Sequence, residues 1–472
     1  MKIIKYLLKI RKSLLTLFLT SNLLLVSTGS ADLNLATPSA VTEIQSTESS
    51  QLNDVINITE AITPSPEIAP IKQSRKIDPT GRFAENRIIV KFKDNIDNQK
   101  KTKLMADNSV SLEREMLAPN TKLLRVSSDK REKILEKLKS DPNIEYAGHD
   151  YVGSATGAFG GGGGSVPSPN DPYYNRQWSL NRILAPTVWN THKGSATVKV
   201  AVLDSGVNYN LPEFGVVQNG GRIIKGKDFV NDDMDPMDDN GHGTAVASVL
   251  GAVTNNGVDI AAVDWNAQII AVKTNDSSAN VFSADMADGI RWAVDYTSLL
   301  KVINISSNFL GDDPILHDAV NYALGKGVLV VAGTANSPAG QVFCFGGYPA
   351  SYQGVLAVVG TDSGDRHGTG CTQFVQGSLM SAPGVDIYTE NALGGVNIPP
   401  AIFTLGTSFA SPLVAGAASV LFSCSTNPRP SLSQVRIALM LGDDLGAVGW
   451  DPYFGYGRLN LFKASQNVSQ CN

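Results

Sequence analysis

A chain of 472 residues, 42% hydrophobic and 18% charged, is long enough for more than one domain and apolar enough to fill their cores. The net charge of −5 is unevenly spread: residues 72–153 carry 18 basic against 13 acidic groups, whereas 154–472 carry 16 against 25. So acidic a body argues against a nucleic-acid partner, and the basic segment ahead of it is suited to bind it.

Residues 1–31 open with Lys2, Lys5, Lys9, Arg11 and Lys12, then run uncharged to Gly29-Ser30-Ala31. This is the pattern of an export signal cleaved after small residues, with an uncleaved membrane anchor as the alternative. The membrane is expected to matter only for export, and the product to be secreted or extracytoplasmic. Residues 32–84, rich in Ser, Thr and Pro, read as a disordered spacer. In 85–153 the pattern changes. Arg87–Lys93 and Lys122–Val126 have strand character, and Ser128–Lys139 sets Ile134, Leu135 and Leu138 on one helical face. Ile144–Ala147 follows the Asp141-Pro142-Asn143 turn as another strand, which makes a small α+β unit. The stretch 154–169, with glycines at 160–164, is a flexible linker, either a plain spacer or a processing site.

From residue 170 to 472, short β-branched runs alternate with helical stretches. The strands are Val198–Asp204, Gln268–Lys273, Lys301–Ile305, Gly327–Ala332 and Val355–Gly360; helices are expected over His242–Ala252, Ser283–Tyr296 and Leu316–Gly325. Such alternation builds βαβ units and predicts a doubly wound, mostly parallel α/β sheet, whose ligands bind beyond the carboxyl ends of its strands. Cys344, Cys371, Cys424 and Cys471 permit two disulfides in three pairings.

Three polar residues stand out. Asp204 ends a strand, His242 lies between two glycines at a helix entry, and Ser408 opens a small-residue helix after Gly406. An acid, a base and a nucleophile make Ser408 reactive: the imidazole takes its proton and later protonates the leaving group, and the carboxylate steadies the imidazolium. A helix start also stabilises a negative oxygen forming beside it. A second polar cluster, Asp228, Asp232, Asp233, Asp235, Asp238 and Asp239, reads as solvated surface or as oxygen ligands for calcium. A metallohydrolase built on these acids would lack a companion histidine pair.

These strings carry a family resemblance. Val202-Leu203-Asp204-Ser205-Gly206, Gly241-His242-Gly243-Thr244, Gly406-Thr407-Ser408-Phe409-Ala410-Ser411-Pro412 and Gly455-Tyr456-Gly457-Arg458-Leu459-Asn460 resemble the subtilisin-like serine proteases, thermitase-like branch, over roughly residues 170–466. Residues 86–152 resemble the family's inhibitory propeptide. The resemblance implies a serine endopeptidase made as an autoprocessed precursor, with protein or peptide substrates and its own propeptide as inhibitor. It implies Asp204, His242 and Ser408 as the triad and Asn336 as oxyanion donor. Ser306, Ser307 and Asn308 stand where the family has a Ser-Leu-Gly cleft wall, and Ser277-Ser278-Ala279-Asn280-Val281 replaces its Gly-rich partner. A polar wall predicts narrowed specificity, toward small or polar side chains at the cleaved position. Calcium is implied at Asp228, Asp233 and Asp235 and at a second site of Asp171, Glu213 and Asn256. The rival from another class is a catalytically silent fold serving as a binding or structural protein.

Overall fold

The computed structural model describes residues 83–154, 169–215, 220–336, 347–370, 378–446 and 449–471. The signal segment, the spacer up to residue 82, the linker 155–168, Cys344 and Cys371 lie outside them. Residues 74–472 form one unit.

The amino-terminal part folds as β1 (Phe83–Phe92), α1 (Asn98–Asp107), β2 (Ser111–Glu115), β3 (Thr121–Arg125), α2 (Arg131–Lys139) and β4 (Ile144–Ser154). Its antiparallel sheet has the order β4-β1-β3-β2. Strand alternation divides its apolar residues between two cores. Ile88, Val90 and Leu124 meet Ile134, Leu135 and Leu138 of α2 in a core of their own. Ile89 and Leu123, on the opposite face, join a core of the larger domain. A one-residue slip in register would exchange the two sets, so the pattern specifies both the fold and its docking. The sequence misses α1, whose polar run Asn98–Asp107 buries little apart from the Lys101 side chain.

The larger domain carries a sheet of order β13-β12-β11-β9-β5-β7-β6, with β14 beside β12. Its strands are β5 (Lys199–Asp204), β6 (Ile223–Asp228), β7 (Gln268–Lys273), β9 (Leu300–Ile305), β11 (Leu329–Gly333), β12 (Leu356–Thr361), β13 (His367–Thr369) and β14 (Leu379–Pro383). All pair in parallel except β13. Both faces are covered, which is why the central residues of β5, β7, β11 and β12 are apolar. Val200 and Val202 face a core centred on a buried helix, Thr407–Ser423, while Ala201 and Leu203 face one built with Ser283–Tyr296 and Pro314–Gly325. In chain order these helices follow His242–Gly251 (α3) and are named α4 (Ser283–Tyr296), α5 (Pro314–Gly325) and α6 (Thr407–Ser423). The winding direction reverses between β5 and β9, so a crevice opens at their carboxyl ends. Asp204 closes β5, and Ser306 directly follows β9.

Among the described residues, no helix is long and apolar enough to cross a membrane. Among the described residues, a disulfide joins Cys424 at the end of α6 to Cys471, 47 residues on, in keeping with one of the three pairings open to the sequence. Closing a loop of that length restricts the unfolded chain by about 2–4 kcal/mol. Replacing both cysteines by serine is therefore expected to lower the melting temperature by several degrees; an unchanged calorimetric midpoint would show that the bond adds nothing.

Candidate active site

His242 Nδ1 lies 2.7 Å from Asp204 Oδ1, and both side chains are fully buried. Two local features make this approach possible. Gly243 packs the first turn of α3 on the Asp204–Gly206 segment, where a Cβ would come within 2.1 Å of Gly206 O. Asp238 then ties the two elements together. Its Oδ1 accepts from Ser205 Oγ at 2.9 Å and Gly241 N at 2.8 Å, and its Oδ2 accepts from Thr244 N at 2.8 Å. Asp204 in turn accepts from Ser205 N at 2.8 Å. Burial alone would lower the His242 pKa, but the charge and hydrogen bond of Asp204, helped by Asp238, raise it above its ordinary value. The sequence offers Asp238 only as one acid in a run; its spacing four residues before the histidine is the signal available.

Ser408 is 2% exposed in the first turn of α6, after Gly406 at φ 139°, a conformation that favours glycine. Pro412 lacks the N–H that would bond Ser408 O within the helix. That carbonyl accepts instead from Ser306 Oγ at 3.0 Å, and Ser408 Oγ donates to Ser306 O at 3.2 Å. Thus α6 is anchored to the segment following β9. The His242 ring stands 5.7 Å from the ring of Phe409, the next residue, and 5.8 Å from that of Phe403. Its Nε2 has no hydrogen-bond partner. Asn336 follows β11, and its Oδ1 accepts from Thr407 N at 2.8 Å and Thr369 Oγ1 at 3.1 Å, which fixes the orientation of its amide.

The segments expected to form the cleft walls carry β8 (Asn280–Phe282) and β10 (Asn308–Phe309). Between them lies the end of β4, antiparallel to both: Ser154 opposes Asn280 and Asn308, and Gly153 opposes Val281 and Phe309. The side chains that replace glycines here do not prevent a strand from entering. Ser307 Oγ accepts from Asn275 Nδ2 at 2.8 Å, a buried link beneath the cleft, while Asn308 Oδ1 has no partner.

The inserted strand is held by charge. Asp150 on β4 is fully buried, accepts from Arg87 Nε at 2.8 Å, and reaches Ala284 N at 3.1 Å in the first turn of α4. Burial nevertheless pushes its carboxyl up despite Arg87. Arg114 bridges Asp285 and Asp288 on α4, both nearly fully buried, and the Asp285 contact measures 3.0 Å. The expected attraction between basic and acidic segments is carried here.

The two candidate calcium clusters differ. Asp228 Oδ1 accepts from Val230 N at 2.7 Å and Asn231 N at 2.8 Å, and its Oδ2 accepts from Asn231 Nδ2 at 2.9 Å. Asp235 is paired with Lys225 at 2.7 Å and bonded by Tyr209. These acids are satisfied within the protein. The Asp233 carboxylate accepts from Asp235 N at 2.8 Å, and its backbone pairs with that of Asp228. At the other cluster Asp171 accepts from Asn255 N at 2.8 Å and Asn256 N at 3.1 Å, and Asn256 Nδ2 reaches Glu213 Oε1 at 3.3 Å. Glu213 Oε2 is buried without a partner, as an ion ligand would be. Burial pushes Glu213 up to about 8, with Asp171 and Asp259 adding to the shift.

Residues 195–457 match the model of the subtilase family, and residues 69–149 match the fervidolysin N-terminal prodomain. A thermophilic serine proteinase of Bacillus sp. (strain AK1) is 33% identical over 388 residues, 81% of this chain and 88% of that protein. Thermitase of Thermoactinomyces vulgaris is 36% identical over 305 residues, 63% of this chain and 99% of its own length. The crystal structure of fervidolysin from Fervidobacterium pennivorans, described as a keratinolytic enzyme related to subtilisin, superposes with a TM-score of 0.67 at 22% identity. That match covers 83% of this chain and 62% of fervidolysin. The chain belongs to the subtilase family. It is a subtilisin-like serine endopeptidase carrying a prodomain, and the family generally binds calcium.

Losing one partner of a buried charge pair costs about 2 kcal/mol or more, so Arg114→Ala is expected to weaken inhibition by separately added prodomain at least ~30-fold. Inhibition titrations check this. An unchanged inhibition constant would assign the binding energy to the apolar contacts and the strand pairing.

Proposed function

We propose that this protein is exported as a precursor, cuts itself after the prodomain, and thereafter hydrolyses peptide bonds through Ser408, His242 and Asp204. The domain limits that go with this reading are 1–31 for the signal, 32–84 for the spacer, 85–153 for the propeptide, 154–169 for the linker and 170–472 for the enzyme. The observation that carries it is the end of β4 paired between β8 and β10. An extended substrate would take the same pairing, because added strands are bound through their main chain. Antiparallel pairing advances one chain as the other retreats, so an extended substrate continuing the register of Ser154 on Asn308 would reach Ser306 a few residues further on.

In this mechanism Ser408 Oγ attacks the carbonyl as His242 Nε2 accepts its proton, and the imidazolium then protonates the leaving amine. Asp204 holds the Nδ1 proton and stabilises the cation. Ser408 N–H and the Asn336 amide receive the oxyanion. Ser306, Ser307 and Asn308 line the cleft, and the partnerless Asn308 Oδ1 supports a preference for small or polar side chains. Calcium held by Asp171, Glu213 and Asn256 would neutralise buried acids and stabilise the fold; the satisfied acids at Asp228 and Asp235 give less support for an ion with Asp233.

Ser408→Ala is expected to leave a full-length precursor and to lower turnover by about 10⁵-fold or more. Asn336→Ala should cost about 10²–10³-fold with folding intact. Mass spectrometry of the parent should give an amino terminus within a few residues after Ser154. Normal processing by Ser408→Ala would reject the mechanism.

The neutral imidazole is the base, and its pKa is raised in the fold. Activity should therefore fall with acid through a midpoint above about 6.5. By linkage, protonated His242 contributes stability that is fully present below about 6.5 and is lost as pH rises through its folded pKa. Asp238→Asn removes a charge that raises that pKa, so it should move the acid limb of kcat/KM to lower pH; an unmoved limb would reduce Asp238 to a scaffold.

A further inference from the structure

We propose that Asn275 is a positioning residue: with Ser307 it forms a buried crossbeam that sets the gap between β8 and β10 and holds an extended substrate at a fixed distance from Asp204. This rests on the reading above that substrate pairs where the end of β4 does.

Asn275 lies two residues past β7, and the main chain of Asp204 anchors it. The Asp204 carbonyl accepts from Thr274 N at 2.8 Å and from Asn275 N at 3.1 Å. Beyond this point the chain turns back. Asp276 N donates to Asn280 O at 2.9 Å, and Asp276 Oδ1 accepts from Ser278 N at 2.9 Å and Asn280 N at 3.0 Å. The turn lays Val281 of β8 antiparallel to Asn275. On the other side, Phe309 of β10 donates its N–H to Tyr348 O at 2.8 Å. A row of backbone pairings therefore runs Asn275, Val281, Gly153, Phe309, Tyr348. Without Gly153 that row is broken at its centre.

A side-chain bond spans the break. Asn275 Nδ2 donates to Ser307 Oγ at 2.8 Å, one residue before β10, and Asn275 Oδ1 accepts from Thr274 Oγ1 at 2.9 Å. Asn275, Ser307 and Thr274 are all 0% exposed, and Val281, Ile305 and Phe309, close to them along the chain, belong to one apolar core. A directional hydrogen bond inside such a core fixes a separation that apolar contacts alone would leave adjustable. Removing either group strands the other without this partner. Ser307 stands where the family has Leu, and an apolar side chain there would offer Asn275 no acceptor, so the link belongs to this chain rather than to the resemblance.

One residue thus joins the backbone of the triad's acid to both sides of the gap. A substrate strand that fills the gap is held at a set distance from Asp204 and His242, and a substrate too short to reach the walls is indifferent to the link.

The test compares the processed enzyme with Asn275→Ala, Ser307→Ala and the two combined. The substrates are a peptidyl ester long enough to pair with both walls and the ester of its last residue alone, which share one leaving group. Each single variant is expected to lower kcat/KM for the peptidyl ester at least about tenfold and to leave that for the short ester within about twofold. The combined variant should lose no more than the worse single one, because the same bond is removed in all three. Ser307→Ala, the smaller change, provides the reading should Asn275→Ala not fold. Equal losses on both esters, additive losses in the combined variant, or parent-like rates throughout would overturn the inference while leaving the strand-pairing reading intact. A parent enzyme that gains nothing from the longer ester would overturn both.

Discussion

The edges of β8 and β10 face each other across a gap one strand wide, and each presents main-chain donors and acceptors. Exposed strand edges invite pairing, and here both are satisfied by the same segment of the same chain. Everything else at the interface serves to deliver that segment. The sheet of the prodomain buries Ile89 and Leu123 against the large domain. Asp150, two residues before β4 begins to pair with β8 at Val152, binds the amino-terminal end of α4. The strand therefore arrives in a fixed register, which determines which peptide bond nears Ser408.

The proposed catalytic groups, Asp204, His242 and Ser408, come from three elements remote in sequence, and each junction has a specific cause. Gly243 lets α3 touch β5, Asp238 bonds to both, and Pro412 releases the carbonyl through which α6 is bound to Ser306. None of these residues reacts. They set the positions of those that do, and the rigidity of the parallel sheet carries that geometry between them.

Much of this was legible in the sequence because it is written in local patterns. Apolar strands buried on both faces, glycines at helix entries and the Asp-His-Ser order announce the large domain and its chemistry; the strand and helix limits inferred for 198–204, 268–273 and 283–296 differ from those observed by at most one residue. What escaped depends on contacts between distant residues. α1 has no apolar stripe to reveal it. The disulfide partner of Cys424 is set by where the chain ends in space, which spacing alone does not encode.

The electrostatics of the interface bear on its lifetime. Asp285 and Asp288 are nearly fully buried beside the prodomain, and Arg114 bridges them. The apolar contacts and the β4 pairing favour the complex at any ionic strength, whereas the Arg114 bridge, itself partly exposed at 23%, weakens as salt screens its approach. In the processing proposed above, cleavage past Ser154 would remove the covalent tether and with it the high effective concentration of the inhibitory strand. From then on, occupancy of the cleft depends on free prodomain in solution, and the charge pairs that speed its return also make that return sensitive to salt.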